Sequence, residues 1–101
     1  MYKSIILPLA KEDIREAVKW YNKRSKGLGK RFTTEVRKKV RFIKQHPDAF
    51  NIRYKEIRTA VLDVFPYMIH YSIDKTNKVV VVSAVFHTSQ NPEKWKQRTR
   101  K

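Results

Sequence analysis

The chain of 101 residues carries 24 Lys and Arg against 9 Asp and Glu, a net charge of +15; so compact a cation repels itself, and its expected partner is polyanionic or strongly acidic. At 41% hydrophobic and 12% aromatic it can build a core, which argues against a disordered chain, and its length suits one domain spanning residues 1–101. It has no Cys, which excludes disulfides and thiolate metal sites and fits a reducing cytoplasm, and no apolar run approaches the ~20 residues of a membrane span.

Residues 4–7 form a short apolar run that stops at Pro8. They read as a first, edge strand, because Pro cannot continue a ladder inside a sheet. The stretch up to Pro8 is too short in apolar residues, and lacks the small-residue cleavage site, for a signal peptide. A helical period follows, with Ile14, Ala17, Val18 and Tyr21 at i, i+3, i+4 and i+7 on one face. Glu12, Asp13 and Glu16 fall near the start of this helix and Lys19, Lys23 and Arg24 near its end, an order that complements the helix dipole. Residues 25–29, Ser-Lys-Gly-Leu-Gly, break it and hold both glycines of the chain.

A second helix runs to about His46 and is ended by Pro47. Phe32, Val36, Val40 and Ile43 make one apolar stripe. The other faces carry Lys30, Arg31, Arg37, Lys38, Lys39, Arg41 and Lys44 with Glu35 as the sole acid. Arg37, Lys38 and Arg41 are therefore candidate contacts for an acidic partner or nucleic acid. Two amphipathic helices with a short break predict a helical hairpin packed on something else.

The C-terminal half supplies it. Residues 57–64 favour a strand, Phe65-Pro66 a turn, residues 67–74 a second strand, residues 75–77 a second turn, and residues 78–86 a third strand with four consecutive valines. Short connections predict an antiparallel meander. From about 88 to 101 the chain is a polar, basic tail in which Trp95 is the one large apolar residue; Lys94, Trp95 and Arg98 are its candidate partner contacts. The expected fold is α+β, in the order β-α-α-β-β-β, with the hairpin packed on one face of a curved, mainly antiparallel sheet.

This order resembles the RelE/ParE superfamily of bacterial type II toxin–antitoxin toxins, whose ParE-like members include plasmid stabilisation proteins. The resemblance covers nearly the whole chain. It rests on Ala10-x-x-Asp13-Ile14-x-x-Ala17 in the first helix, Phe65-Pro66-Tyr67-x-Ile69-x-Tyr71 in the second hairpin, Ala84-Val85-x-His87 closing the last strand, and Asn91-Pro92-x-x-Trp95-x-x-Arg98 in the tail. It implies a small cytosolic toxin held inactive by an acidic antitoxin, a pairing that the net charge favours electrostatically. Within the superfamily, RelE-like members cleave messenger RNA at the ribosomal A site, whereas ParE-like members poison DNA gyrase.

Cleavage by 2′-OH attack needs a proton acceptor, a proton donor and cations around the phosphorane-like state. His87 is the candidate for proton transfer, since several RelE-like nucleases carry a functional His or Tyr at this strand end; a plain strand-terminal His is the alternative. Many such nucleases also carry a Tyr-Arg-x-x-Tyr-like pattern whose Arg holds the scissile phosphate. Aligned on Tyr71, Met68 stands in the Arg position, and Met cannot neutralise a phosphate. Arg58 begins the preceding strand and is expected near Ile73 and Val79, roughly 25 Å from His87 at strand spacing. It is a weak substitute, as is Arg98 folding back from the tail.

Strand alternation puts Ile69, Tyr71 and Ile73 on one face, under the helices, and Met68, His70 and Ser72 on the other. His70 is then expected on the open face beside the site, or simply as an exposed strand residue. His46 reads as a helix C-terminal cap. Three His with no ligand spacing predict no metal, and no Gly-rich phosphate loop or other motif predicts a cofactor. Trp20 and Trp95 are base-stacking candidates or, alternatively, core or interface anchors. The balance favours a ParE-like toxin acting on gyrase. A ribosome-dependent messenger RNA endonuclease is the first alternative, and a basic RNA- or ribosome-binding structural protein the second.

Overall fold

The computed structural model describes residues 1–90 and 92–95. β1 (Lys3–Ile6) leads into α1 (Pro8–Arg24) and α2 (Leu28–Gln45); a 3-10 turn (Pro47–Ala49), β2 (Ile52–Tyr54), β3 (Ile57–Val61), β4 (Tyr67–Asp74) and β5 (Val79–His87) follow. The strands form one sheet in the order β1-β5-β4-β3-β2. β1 runs parallel to β5 and the other neighbours are antiparallel. The helical hairpin, the edge position of β1 and the three-strand meander match the expectation from sequence.

Two boundaries differ for physical reasons. Pro8, read as the end of a strand, is also the first residue of α1, where its missing N–H would have had no helical partner anyway. The helix therefore starts earlier than its apolar period suggested. Its first turn holds no acid, and Glu12, Asp13 and Glu16 lie further in. The sheet also has a fifth strand, β2, which is three residues long. So short a segment carries no readable alternation.

α1 buries Ala10, Ala17 and Tyr21, and α2 buries Phe32, Val36, Val40 and Ile43 along the predicted stripe. They meet Ala60, Ile69, Tyr71, Val80, Val82 and Val85 from the sheet. An aromatic group ties the hairpin to the β3–β4 turn: Phe32 lies 5.3 Å from Phe65 and 5.0 Å from Tyr67, and Tyr21 lies 4.9 Å from Phe65. These edge-on contacts add directional attraction to the area that they bury. The hairpin closes on two glycines with different duties. Gly27 takes a left-handed φ of 84°. Gly29 sits where the helices come close, since a Cβ there would lie 2.7 Å from Asn22 Oδ1 and 2.8 Å from a Val18 methyl. Its own N–H donates to Asn22 Oδ1 at 2.9 Å.

A bulge in β5 decides what faces the helices. His70 pairs with Ala84 but Tyr71 pairs with Val82, so Ser83 is an extra residue on that strand. Val80 and Val82 point to the helices; in an unbroken strand Ala84 and Phe86 would follow them. The bulge shifts the alternation by one residue. Val85 joins the helix-side core, while Ala84 and Phe86 join Met68 and Trp95 on the other side. His87, opposite Tyr67 in the ladder, turns with Val85 and meets the Tyr67 ring edge-on at 5.1 Å.

The same region solves an edge problem. Leu7 N–H still donates to Val82 O at 3.0 Å, after which Pro8 lifts the chain away into α1. β5 runs on without a strand on that side. There Asp13 reaches down from α1, and its Oδ2 accepts the Val85 N–H at 3.0 Å. A buried amide left without an acceptor would cost about 1–3 kcal/mol, so this carboxylate is part of the fold.

The second face of the sheet is covered as well. Trp95, 7% exposed, packs with Met68, Ala84 and Phe86, with Tyr54 beside them. His70 lies fully buried among the rings of Tyr54, Phe86 and Trp95, with Nδ1 2.9 Å from the Tyr54 hydroxyl. The expectation of an open face with His70 exposed beside His87 is thus corrected: the bulge puts the two histidines on opposite sides, and Trp95 covers His70. The 47–50 segment is pinned from the sheet. Tyr71 donates to Pro47 O at 2.7 Å, and Arg58 donates to Phe50 O at 2.6 Å and pairs with Asp48 at 3.2 Å. At the β4–β5 turn, Asn77 donates its amide and side chain to Asp74, which pulls that carboxyl below its usual range.

Burial pushes the Tyr71 phenol from its ordinary value of 10.0 up to about 12. Tyr21 and Tyr67 shift the same way for the same reason. A raised folded-state value means that stability from the neutral phenol is intact below pH 10 and drains away as pH climbs toward 12. Tyr71→Phe is expected to lose about 1–2 kcal/mol at neutral pH through the orphaned Pro47 carbonyl, yet to show a shallower loss of stability than wild type above pH 10. Urea titrations across that range check both signs. Asp13→Ala is expected to cost about 1–3 kcal/mol and to speed hydrogen exchange selectively at the Val85 amide. An exchange rate at Val85 equal to that of wild type would contradict the assigned bond.

Candidate functional site

Where the end of β5 passes beneath α1, a cleft of about 780 Å³ opens to solvent. Leu9, Asp13, Glu16 and Trp20 line one wall, at i, i+4, i+7 and i+11 of α1 and therefore on one stripe. Tyr67, His87, Ser89, Gln90 and Lys94 line the other side. The charge here runs against that of the whole chain, with two carboxylates facing one ammonium. Trp20 is 49% exposed, and the Arg24 guanidinium lies 4.2 Å from the centre of its ring. That contact holds the indole as a flat, half-covered platform at the rim.

His87 is half-buried in this cleft, and its ring is oriented from one side. Nδ1 accepts the Ser89 N–H at 3.0 Å and lies 2.8 Å from Ser89 Oγ, while the His87 backbone N–H donates to Gln90 Oε1 at 2.9 Å. An amide N–H can only donate, so Nδ1 is the acceptor and the neutral ring carries its proton on Nε2. In this arrangement Nε2 offers a hydrogen bond. To take a proton there, the ring would have to change tautomer and give up the Ser89 amide.

The other residues singled out from sequence do not gather around His87. Arg58 pairs with Tyr71 rather than lying near Ile73, and Tyr67 pairs with His87. The separation is four residues along β4 and two strands across, roughly 16 Å at ordinary strand spacing and shorter than the ~25 Å expected. The guanidinium is in any case committed to Asp48 and the Phe50 carbonyl. Met68 is buried on the far face with Trp95. Trp95, considered a stacking platform, has its ring inside that second cluster, 5.5 Å from the Arg53 guanidinium. Lys94 is exposed at the rim of the cleft. Arg98 lies outside the described residues.

Arg37, Lys38 and Arg41 are exposed along α2, some distance in sequence and on a different helix from the cleft wall. Lys38 reaches Glu35 at 3.5 Å, and no carboxylate among the described residues pairs with Arg37 or Arg41. Among the described residues no group of three or more His, Asp or Glu could hold a metal ion, and no helix is long and apolar enough to cross a membrane. Asp13 and Glu16 were not among the site residues expected from sequence. Their spacing with Leu9 and Trp20 was readable, but which side of α1 met β5 depends on the Ser83 bulge.

Residues 5–92 match the family model of the ParE toxin of type II toxin–antitoxin systems, parDE. No curated protein matches the chain. Among solved structures, the chain is similar to the chromosomal ParDE toxin–antitoxin system from P. aeruginosa, with a TM-score of 0.75 at 12% identity over 86% of this chain and 96% of that one. It is also similar to the E. coli RelBE toxin–antitoxin complex, with a TM-score of 0.68 at 18% identity over 89% of this chain and 100% of that one. The isolated E. coli RelE toxin gives 0.68 at 17% identity, covering 99% of this chain and 98% of the other. These likenesses agree with the fold built above from its strands and helices, and the family match spans both the Asp13-bearing helix and the His87 strand end: the chain belongs to the ParE toxins of type II toxin–antitoxin systems.

Proposed function

We propose that this toxin acts by binding and inhibiting DNA gyrase, not by cutting RNA, and that an acidic antitoxin neutralises it. The observation that carries the reading is the chemistry around His87. The cleft presents Asp13 and Glu16 to any ligand that approaches the imidazole, with Lys94 as the one cation on its walls among the described residues. Phosphoryl transfer needs positive charge where the phosphate sits, and two carboxylates there raise the barrier. The tautomer set by Ser89 leaves Nε2 protonated, so on the open side the neutral ring offers a donor and no acceptor for the attacking hydroxyl's proton. Arg58, a sequence candidate for a phosphate clamp, is tied into the 47–50 segment.

The antitoxin half of the proposal rests on charge. A net +15 on 101 residues favours association with an acidic chain, mainly by speeding encounter and rejecting cationic partners. Any partner that binds the folded toxin alone also stabilises it by mass action. The endonuclease reading keeps one supporting observation, namely that His87 does line the cleft.

His87→Ala is expected to leave growth arrest on expression intact. Purified wild-type protein should stall supercoiling by gyrase, with linear DNA accumulating, and should leave messenger RNA whole in a reconstituted translation reaction. Cleaved messenger RNA, lost in the His87→Ala variant, would replace the gyrase reading with the endonuclease one.

A further inference from the structure

The walls of the His87 cleft carry the opposite sign to the chain as a whole, and an indole open to water stands at the rim. Glu16, Trp20 and Arg24 follow one another at four-residue steps on α1, so Glu16 and Arg24 flank the indole along one stripe. The Arg24 guanidinium lies 4.2 Å from the ring centre but does not line the cleft, whereas Glu16 lines it together with the ring. The part of the indole that faces the cleft thus borders a carboxylate. Among the described residues no cation pairs with Glu16. Trp20 is 49% exposed, and Leu9, eleven residues earlier on the same wall, is 46% exposed. Asp13, between them, already accepts the Val85 N–H.

A flat ring beside a carboxylate is matched by a flat cation. A guanidinium can stack on the indole while it donates two N–H bonds to one carboxylate; an ammonium is a compact, strongly hydrated point charge that does neither as well. Arg24 already shows that this ring takes a guanidinium. Charge limits the ligand to one such group. Asp13 and Glu16 against Lys94 leave a single negative charge on the walls, and a second cation on the ligand would meet Lys94 and the +15 of the chain. The spacing sets the ligand's length. From Leu9 to Trp20 the helix rises about 17 Å, the span of about five extended residues. A strand of nucleic acid would instead bring its phosphates against the two carboxylates.

We infer that the cleft grips a protein segment of about five residues that carries a single arginine, seated between Trp20 and Glu16, and an apolar side chain against Leu9. An acidic antitoxin is poorly matched to these walls, so the segment is assigned to the protein that the toxin attacks. The inference rests on the gyrase reading above only for whose segment this is. It adds the chemical group by which that protein is held.

The probe is the capped peptide acetyl-Leu-Ser-Ala-Ser-Arg-amide, titrated into the full-length toxin by calorimetry and located by the NMR shift of the Trp20 indole N–H. Two control peptides replace the arginine with citrulline, which keeps the shape without the charge, or with lysine. The arginine peptide is expected to bind roughly tenfold more tightly than the citrulline peptide, with the lysine peptide between them. Glu16→Gln and, separately, Trp20→Ala should each weaken it roughly tenfold. Trp20→Phe, which keeps a flat aromatic face, should lose less than Trp20→Ala. Glu12→Gln, on the same helix but paired with Arg15 and outside the cleft, should bind like wild type. Circular dichroism confirms that each variant is folded.

Equal affinity for the arginine and citrulline peptides overturns the inference, as does equal loss in Glu12→Gln and Glu16→Gln. So does displacement of the peptide by spermidine or by guanosine 5′-monophosphate at comparable concentration, which would make the cleft a polyamine or a nucleobase site. Supercoiling by gyrase is scored separately. If wild-type toxin leaves supercoiling unchanged while the peptide results hold, the gyrase reading falls and the arginine site stands. If wild type, Glu16→Gln and Trp20→Ala all stall gyrase equally, the assignment of the segment to the target is overturned.

Discussion

The bond from the Val85 amide to Asp13 ties α1 to the uncovered edge of β5, and the layout of the cleft depends on it. β1 is short because Pro8 ends it, and β5 is long, so part of β5 runs along an edge with no neighbouring strand. An exposed edge invites pairing with foreign strands. Here a helix-borne carboxylate covers it instead. The Ser83 bulge makes that possible by turning the strand just before Val85. Together they fix the seat of α1 on the sheet, and with it which residues face the cleft.

Charge is distributed unevenly on this frame. α2 carries an exposed cationic flank, while the α1 wall of the cleft shows Asp13 and Glu16. A net charge of +15 therefore does not describe any one contact. It sets the long-range attraction, which salt screens over about 10 Å. Short-range selection falls to local groups, and in the His87 cleft those groups are mainly acidic. The sheet is buried on both faces, by the helices on one side and by Trp95 on the other. This explains why β4 reads as an almost continuous buried strand, with Met68, Ile69, His70 and Tyr71 all buried.

Much of the fold could be read from periodicity. The stripes Ile14, Ala17, Tyr21 and Phe32, Val36, Val40, Ile43 point inward as their spacing required, and Ile69, Tyr71 and Ile73 face the helices. What escaped had no periodic signature. The bulge at Ser83 sits inside a run of strand-forming residues, where one extra residue leaves no trace in composition. Because it was unseen, His70 and His87 were expected on the same side. β2 is too short to alternate. Arg58 stands opposite Tyr71 and not near Ile73, and its partners, Asp48 and the Phe50 carbonyl, come from a segment whose path a sequence does not disclose. The charge on α2 was legible because an exposed helix face needs only counting.

The parallel pairing of β1 with β5 joins Lys3 to Val79 and Ile6 to Val82. Roughly three-quarters of the polypeptide separates these partners, so the pairing is strongly non-local and the loop that must close is long. During synthesis the first strand made has no mate until β5 has been translated and the hairpin has folded between them. The complete sheet, with α1 seated over β5, is thus assembled only once β5 has been made.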